Sequence, residues 1–143
     1  MAIDISADLL NRAPLLRVIA RAGIGVDTID VHAATRRGIA VMNAPGANTV
    51  SAAEHAMALL LALVRHIPWA AEAMRRGEWD RKRFEGTELR GKTMGVIGLG
   101  RIGAHVAQLA RAFGMQVVGH DPYLPPERAT ELHVRLLSIE QLL

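Results

Sequence analysis

Three glycines of this 143-residue chain, Gly98, Gly100 and Gly103, stand at the spacing GxGxxG. The first glycine permits a tight turn, the second leaves the main chain bare, and the third lets a helix pack closely on a strand. Main-chain N–H groups at the start of a helix attract anions, phosphates above all. Because glycine-rich loops are common, this chemistry requires a strand before the glycines and a helix after them.

The residues on both sides of the glycines predict those elements. Residues 93–97 have the pattern of a strand, and residues 101–113 have a helical period that stops at Gly114. A second strand ends at Asp121, 18 positions after Gly103, close to the roughly 20 expected of a dinucleotide site. We expect Asp121 to accept hydrogen bonds from the adenosine ribose and to repel a 2′-phosphate, which favours NAD over NADP.

The remainder of the C-terminal third continues the alternation of strand and helix. A third strand is predicted at residues 133–136, and Ser138 with Glu140 begins a further helix. The resulting order, β-α-β-α-β, predicts an α/β fold with half of a doubly wound, Rossmann-type parallel sheet.

The N-terminal third also alternates helix and strand. Ser6 and Asp30 each precede a predicted helix, and Gly38 closes the second one. Strands are predicted at residues 15–20 and 39–42. The first strand runs into Gly23-Ile24-Gly25, a predicted turn with exposed backbone N–H groups.

A long apolar helix is predicted between these two parts. Ser51 and Glu54 have the spacing of a capping box, and residues 56–64 are apolar on nearly every side. Pro68 interrupts the pattern, and residues 78–91 are predicted to form an irregular, charged arm. A helix with so little polar surface indicates cover by a partner subunit or a second domain.

Composition excludes several classes of function. Half of the residues are apolar, so the chain can bury a core, and the absence of cysteine excludes thiolate metal sites and cysteine nucleophiles. No run reaches the roughly 18–20 apolar residues of a membrane span, so we expect a cytoplasmic protein with no membrane partner. The net charge of +3 comes from residues 75–83; a solvated loop or subunit contact is favoured there over a nucleic-acid site.

Taken together, the motifs resemble the D-isomer-specific 2-hydroxyacid dehydrogenases. The resemblance covers nearly the whole chain in the family's order, and within the family Thr87-Glu88-Leu89 and Asn43-Ala44-Pro45 favour the phosphoglycerate dehydrogenase branch. The matching stretches are residues 21–27, 33–39, 41–45, 48–54, 84–93, 95–103 and Asp121-Pro122.

The resemblance implies a division of labour along the chain. Residues 1–47 would be a remnant of a flavodoxin-like substrate domain, in which Gly23, Ile24 and Gly25 hold the substrate carboxylate. Residues 48–143 would be an incomplete NAD-binding domain, in which the backbone of Arg101 and Ile102 meets the pyrophosphate. The implied reaction moves a hydride from C2 of a D-2-hydroxy acid, D-3-phosphoglycerate in serine biosynthesis, to NAD without a metal. The family's dimer implies a homodimer through residues 51–90.

The family's catalytic Arg, Glu and His would lie beyond Leu143, and none of the six histidines replaces them. We therefore expect a fragment that is inactive alone, since a positioned acid/base contributes roughly 10²–10⁴-fold to the rate. Two alternatives remain open at this point: an NAD-sensing, corepressor-like module without catalysis, and, ranked last, a nucleic-acid-binding fragment.

Overall fold

The computed structural model of the protein describes residues 3–143. Its backbone contacts separate the chain after Asn48 into two compact units. The first unit contains the short helices α1 and α2 and the parallel strand pair β1 and β2, with Val18 opposite Ala40. Their bounds are α1 Ala7–Asn11, β1 Val18–Ala20, α2 Val31–Arg36 and β2 Ala40–Met42.

Side-chain caps determine where the helices of the first unit begin. The Ser6 hydroxyl accepts a hydrogen bond from the Leu9 N–H, and the Asp30 carboxylate accepts one from the Ala33 N–H at 2.8 Å. Each cap satisfies a backbone donor that the first helical turn leaves unpaired. Both caps agree with the sequence-based prediction. The core of this unit consists of Leu10, Ile19, Ile29, Ala33, Ala34 and Ile39.

The second unit is built on a three-stranded parallel sheet in the order β3-β4-β5. The predicted α/β class with parallel sheets is confirmed. Helix α3 packs on α5 through small and apolar side chains, among them Ala53, Met57 and Ala107. The elements are α3 Thr49–Val64, α4 Ile67–Arg75, a 3₁₀ turn at Lys82–Phe84, β3 Thr93–Ile97, α5 Arg101–Ala112, β4 Gln116–His120, α6 Pro126–Glu131, β5 Arg135–Leu136 and α7 Ile139–Leu142.

The structure corrects two predictions for the long apolar segment. Helix α3 begins at Thr49, so Ser51 lies inside its first turn and is not the predicted N-cap. The interruption lies at His66, whose φ of 54° is left-handed, and not at Pro68. Pro68 lies in the first turn of α4, where its missing N–H removes no helical hydrogen bond. Among the described residues no single helix could cross a membrane; α3 and α4 pass on length and composition only as a pair bent by 61°.

Strand β5 begins two residues later than predicted, because His133 ends α6 in a left-handed conformation with a φ of 53°. The His133 N–H donates to the Thr130 carbonyl and the Val134 N–H to the Ala129 carbonyl, which is a Schellman ending. Helix α5 ends in the same way, with Gly114 at the corresponding position. A histidine there carries the steric cost that glycine avoids.

We therefore expect His133→Gly to raise the free energy of unfolding by about 1 kcal/mol. The same replacement at His55, an exposed position inside α3, is expected to lower it because glycine weakens a helix interior. Chemical denaturation of the two variants measures both changes. Destabilisation by His133→Gly would show that the histidine side chain contributes more than its backbone conformation costs.

Candidate functional site

The glycine turn leaves the sheet directly after β3. Gly98 has a φ of 84°, a left-handed conformation that favours glycine, and its N–H donates to the His120 carbonyl at 2.8 Å. Leu99 then turns its side chain into the core and is only 2% exposed. The turn is therefore fixed to the end of β4 on one side and to the hydrophobic core on the other.

The other two glycines of the motif differ in what surrounds them. A Cβ atom on Gly103 would overlap the carbonyl oxygen of Gly98, whereas a Cβ atom on Gly100 would meet nothing within 4 Å. The structure thus places Gly103 where helix and turn touch. Gly100 borders open space at the start of α5, a cradle that any side chain would begin to fill.

Helix α5 presents unpaired donors to that open space. Gly100 is its N-cap in an extended conformation, and no side chain caps the helix. The N–H groups of residues 101–103 precede the first intrahelical hydrogen bond, from the Ala104 N–H to the Gly100 carbonyl at 2.9 Å. These donors and the positive end of the helix dipole favour an anion at this position.

Asp121 lies against the same turn. One carboxylate oxygen accepts the Leu99 N–H at 2.8 Å and the other accepts the Tyr123 N–H at 2.9 Å. These two backbone hydrogen bonds lower the pKa of Asp121 below its usual value, and the bond from Tyr123 has the larger effect. The carboxylate therefore keeps its charge, and its hold on the turn, as the pH falls through the usual aspartate range, and loses both only at lower pH.

Each Asp121 oxygen has lone pairs beyond the one that its amide partner uses. The carboxylate can therefore still accept hydrogen bonds from a diol that lies beside the turn. Bare backbone at Gly100, free amides at the start of α5 and a charged acceptor at Asp121 together fit a diphosphate with a ribose attached. No group of three metal-ligating side chains occurs among residues 3–143.

Comparison with known proteins agrees with this geometry. Residues 57–143 match the family described as "D-isomer specific 2-hydroxyacid dehydrogenase, NAD binding domain". The chain belongs to this family. NAD, the cofactor predicted from the glycine spacing and Asp121, is thereby confirmed as the cofactor of this dehydrogenase domain.

Individual relatives support the same assignment. D-3-phosphoglycerate dehydrogenase of Methanocaldococcus jannaschii is 56% identical over 134 residues, which are 94% of this chain and 26% of the relative. The chain therefore spans about a quarter of the length of the curated relatives it matches. Among solved structures, the TT0316 protein of Thermus thermophilus has a TM-score of 0.88 at 42% identity, covering 99% of this chain and 44% of that one. A D-lactate dehydrogenase of Aquifex aeolicus, in complex with NAD and lactic acid, has a TM-score of 0.87 at 31% identity. The match covers 98% of this chain and 42% of that one.

The predicted substrate turn lies in the first unit. The Gly23 N–H is engaged with the Arg21 carbonyl at 2.9 Å, so it is not the exposed donor that the glycine pattern predicts. The N–H groups of Ile24 and Gly25 have no protein acceptor within residues 3–143. The Ile24 carbonyl accepts the Asn43 side-chain amide at 2.9 Å, which ties this turn to the end of β2.

Sequence reasoning missed the part that Leu99 takes in the site. As the variable residue of Gly98-Leu99-Gly100 it has no assigned role in the motif, yet it binds Asp121 through its N–H and fills the core with its side chain. The position also explains Gly119, since a Cβ atom there would lie 2.7 Å from Leu99. The sequence signal that could have revealed this role is an apolar residue between two glycines, a pattern that indicates a side chain buried at a turn.

Ion pairs partly neutralise the basic segment. Glu78 binds Arg76 at 2.7 Å and Arg83 at 3.3 Å, and Glu72 also contacts Arg76. The hydrogen bond from Arg76 lowers the pKa of Glu78, so this carboxylate stays charged. The segment is thus a network of both charges, and exposed pairs of this kind contribute little to stability.

Proposed function

We propose that this chain supplies the NAD-binding part, and a portion of the substrate-binding part, of a dehydrogenase that oxidises D-3-phosphoglycerate. Bound NAD supplies the hydride acceptor for C2 of the hydroxy acid. The relatives named D-3-phosphoglycerate dehydrogenase, at 50–56% identity, support this substrate over other D-2-hydroxy acids. The observation that carries the proposal is the Asp121 carboxylate bound to the Leu99 N–H of the glycine turn.

In this proposal each part of the site has one role. The amides of Arg101 and Ile102 bind the pyrophosphate over the bare backbone of Gly100. Asp121 accepts the adenosine ribose hydroxyls and repels a 2′-phosphate. In the first unit, the N–H groups of Ile24 and Gly25 would bind the substrate carboxylate, and Gly23 would hold their turn in place.

The preference of Asp121 for NAD is directly measurable. Titration calorimetry should show NAD binding at least about tenfold tighter than NADP, since a carboxylate beside a 2′-phosphate is unfavourable. Asp121→Ser should weaken NAD binding roughly 10- to 100-fold and reduce the discrimination against NADP, because hydrogen bonds to a charged acceptor are lost. Glu127→Gln, an exposed change in α6, is the matched control. Equal binding of both cofactors by the unchanged chain would contradict the assigned role.

We also propose that the chain forms a homodimer through α3, α4 and the arm that follows them. This part of the second unit exposes a series of large apolar side chains, and such a series on a surface indicates a contact with another protein. Those more than half exposed are Val50, Leu59, Leu63, Ile67, Trp69, Met74 and Trp79. Leu59 and Leu63 are one helical turn apart, so they form one face of α3.

Leu63→Glu is therefore expected to convert dimer to monomer at micromolar concentration, because a buried unpaired carboxylate opposes association. Sedimentation velocity measures the change. Leu15→Glu, at a position that is 91% exposed in the first unit, should leave the dimer intact. A monomeric unchanged chain would contradict the dimer, and a dimer that survives Leu63→Glu would place the interface elsewhere.

A further inference from the structure

A groove with a basic lining lies on the second unit, where α5, α6 and the start of α3 meet. The groove is open to solvent and has a volume of about 340 Å³. Its polar lining consists of Thr49, Arg101, His105, Gln108 and Arg128. Residues 101, 105 and 108 share one face of α5 because their spacing follows the helical repeat.

The lining has one sign of charge. Two guanidinium groups, an imidazole and an amide supply hydrogen-bond donors, and no carboxylate lines the groove. Arg128 pairs with Glu131 of its own helix, and both side chains are more than half exposed. Glu131 offsets the charge of Arg128 but not that of Arg101, so the groove retains a net positive charge.

Thr49 provides an independent indication of a missing partner. Its Oγ1 atom is buried and has no hydrogen-bond partner within the described part of the chain. A buried hydroxyl without a partner costs about 1–3 kcal/mol, so such atoms indicate a bound water, ion or ligand. An anionic oxygen at the start of α3 would accept this hydroxyl.

We propose that this groove binds a phosphate group, as free phosphate or as a phosphomonoester, at a site distinct from that of the NAD pyrophosphate. Guanidinium groups match the oxygens of phosphate in geometry as well as charge. Arg101 belongs to both sites, since its amide is one of the free donors at the start of α5 and the residue also lines the groove. Neither Gly98 nor Gly100 lines the groove.

Nuclear magnetic resonance of the isotope-labelled full chain tests the proposal. Titration with inorganic phosphate at constant ionic strength should shift the amide signals of His105, Gln108 and Arg128. A parallel titration with glycerol phosphate separates the two sources of the group, and binding of either supports the site. Absence of these shifts with both probes, or equal shifts with chloride, overturns the proposal.

Variants locate the anion. Arg128→Gln should weaken phosphate binding roughly fivefold or more, and Thr49→Val, which keeps the shape but removes the hydroxyl, should weaken it roughly two- to fivefold. Arg135→Gln removes one positive charge from the same unit outside the groove and should have no such effect. Equal weakening by all three variants would indicate unspecific attraction and overturn the site.

The inference builds on the NAD-binding function, so the two must be tested separately. Gly100→Val fills the cradle at the glycine turn without touching the groove, so it should abolish NAD binding and preserve phosphate binding. If saturating NAD or Gly100→Val removes the phosphate response, the anion occupies the pyrophosphate position and the second site does not exist. Failure of NAD to bind while phosphate still shifts the groove signals would instead contradict only the proposed function.

Discussion

Gly103→Ala is expected to destabilise the second unit by about 2–4 kcal/mol and to abolish NAD binding. The added Cβ atom would overlap the Gly98 carbonyl oxygen and lie 3.4 Å from Val96, so α5 must move away from the turn. Such a movement displaces the amides that face the diphosphate. Chemical denaturation and titration calorimetry of the same preparation measure the two effects.

Gly100→Ala is the matched control for this prediction, since it makes the same chemical change three residues earlier. Its Cβ atom would meet nothing within 4 Å, and the φ of −65° is open to any residue. We expect it to cost less than about 1 kcal/mol, the usual effect of alanine at an N-cap. Equal destabilisation by the two alanines would show that the close approach at Gly103 does not limit the packing of α5.

Gly100→Val is expected to weaken NAD binding by at least about 100-fold while the fold is retained. The larger side chain occupies the space above the bare backbone, and it blocks the approach of a phosphate to the amides of Arg101 and Ile102. A retained melting temperature and an unchanged circular dichroism spectrum would show that the loss is local.

Ala112→Val adds a branched side chain at the far, exposed end of α5 and controls for the effect of a β-branched residue on this helix. NAD binding by Ala112→Val should stay within about threefold of the unchanged chain. If Gly100→Val also binds NAD normally, the diphosphate does not lie over Gly100, and the arrangement proposed for the cofactor is wrong.

The sequence predicts the elements around the glycine turn well, because short-range signals coincide there. Local sequence alone determines the strand before Gly98, the helix after Gly100 and the helix end at Gly114. The family's NAD-binding domain follows from the same residues. The carboxylate of Asp121 reaches the turn because two parallel strands end at the same edge of a sheet.

What the sequence does not predict depends on contacts between distant residues or on strained backbone. The start of α3 at Thr49 and the left-handed His66 and His133 break local preferences, so no local pattern announces them. The groove beside Arg128 arises from three separate helices, and single-residue patterns do not show which faces meet.

The hydrogen bond between Leu99 and Asp121 has a practical consequence for engineering cofactor choice. A substitution that removes the Asp121 carboxylate to admit a 2′-phosphate also removes the hydrogen-bond acceptor of the Leu99 N–H. That hydrogen bond holds the glycine turn, whose Leu99 side chain is buried in the core. Redesign for NADP should therefore begin with a small replacement that still accepts the Leu99 amide, such as serine or threonine, and add a cation nearby afterwards. Libraries randomised at this aspartate alone will be enriched in poorly folded members.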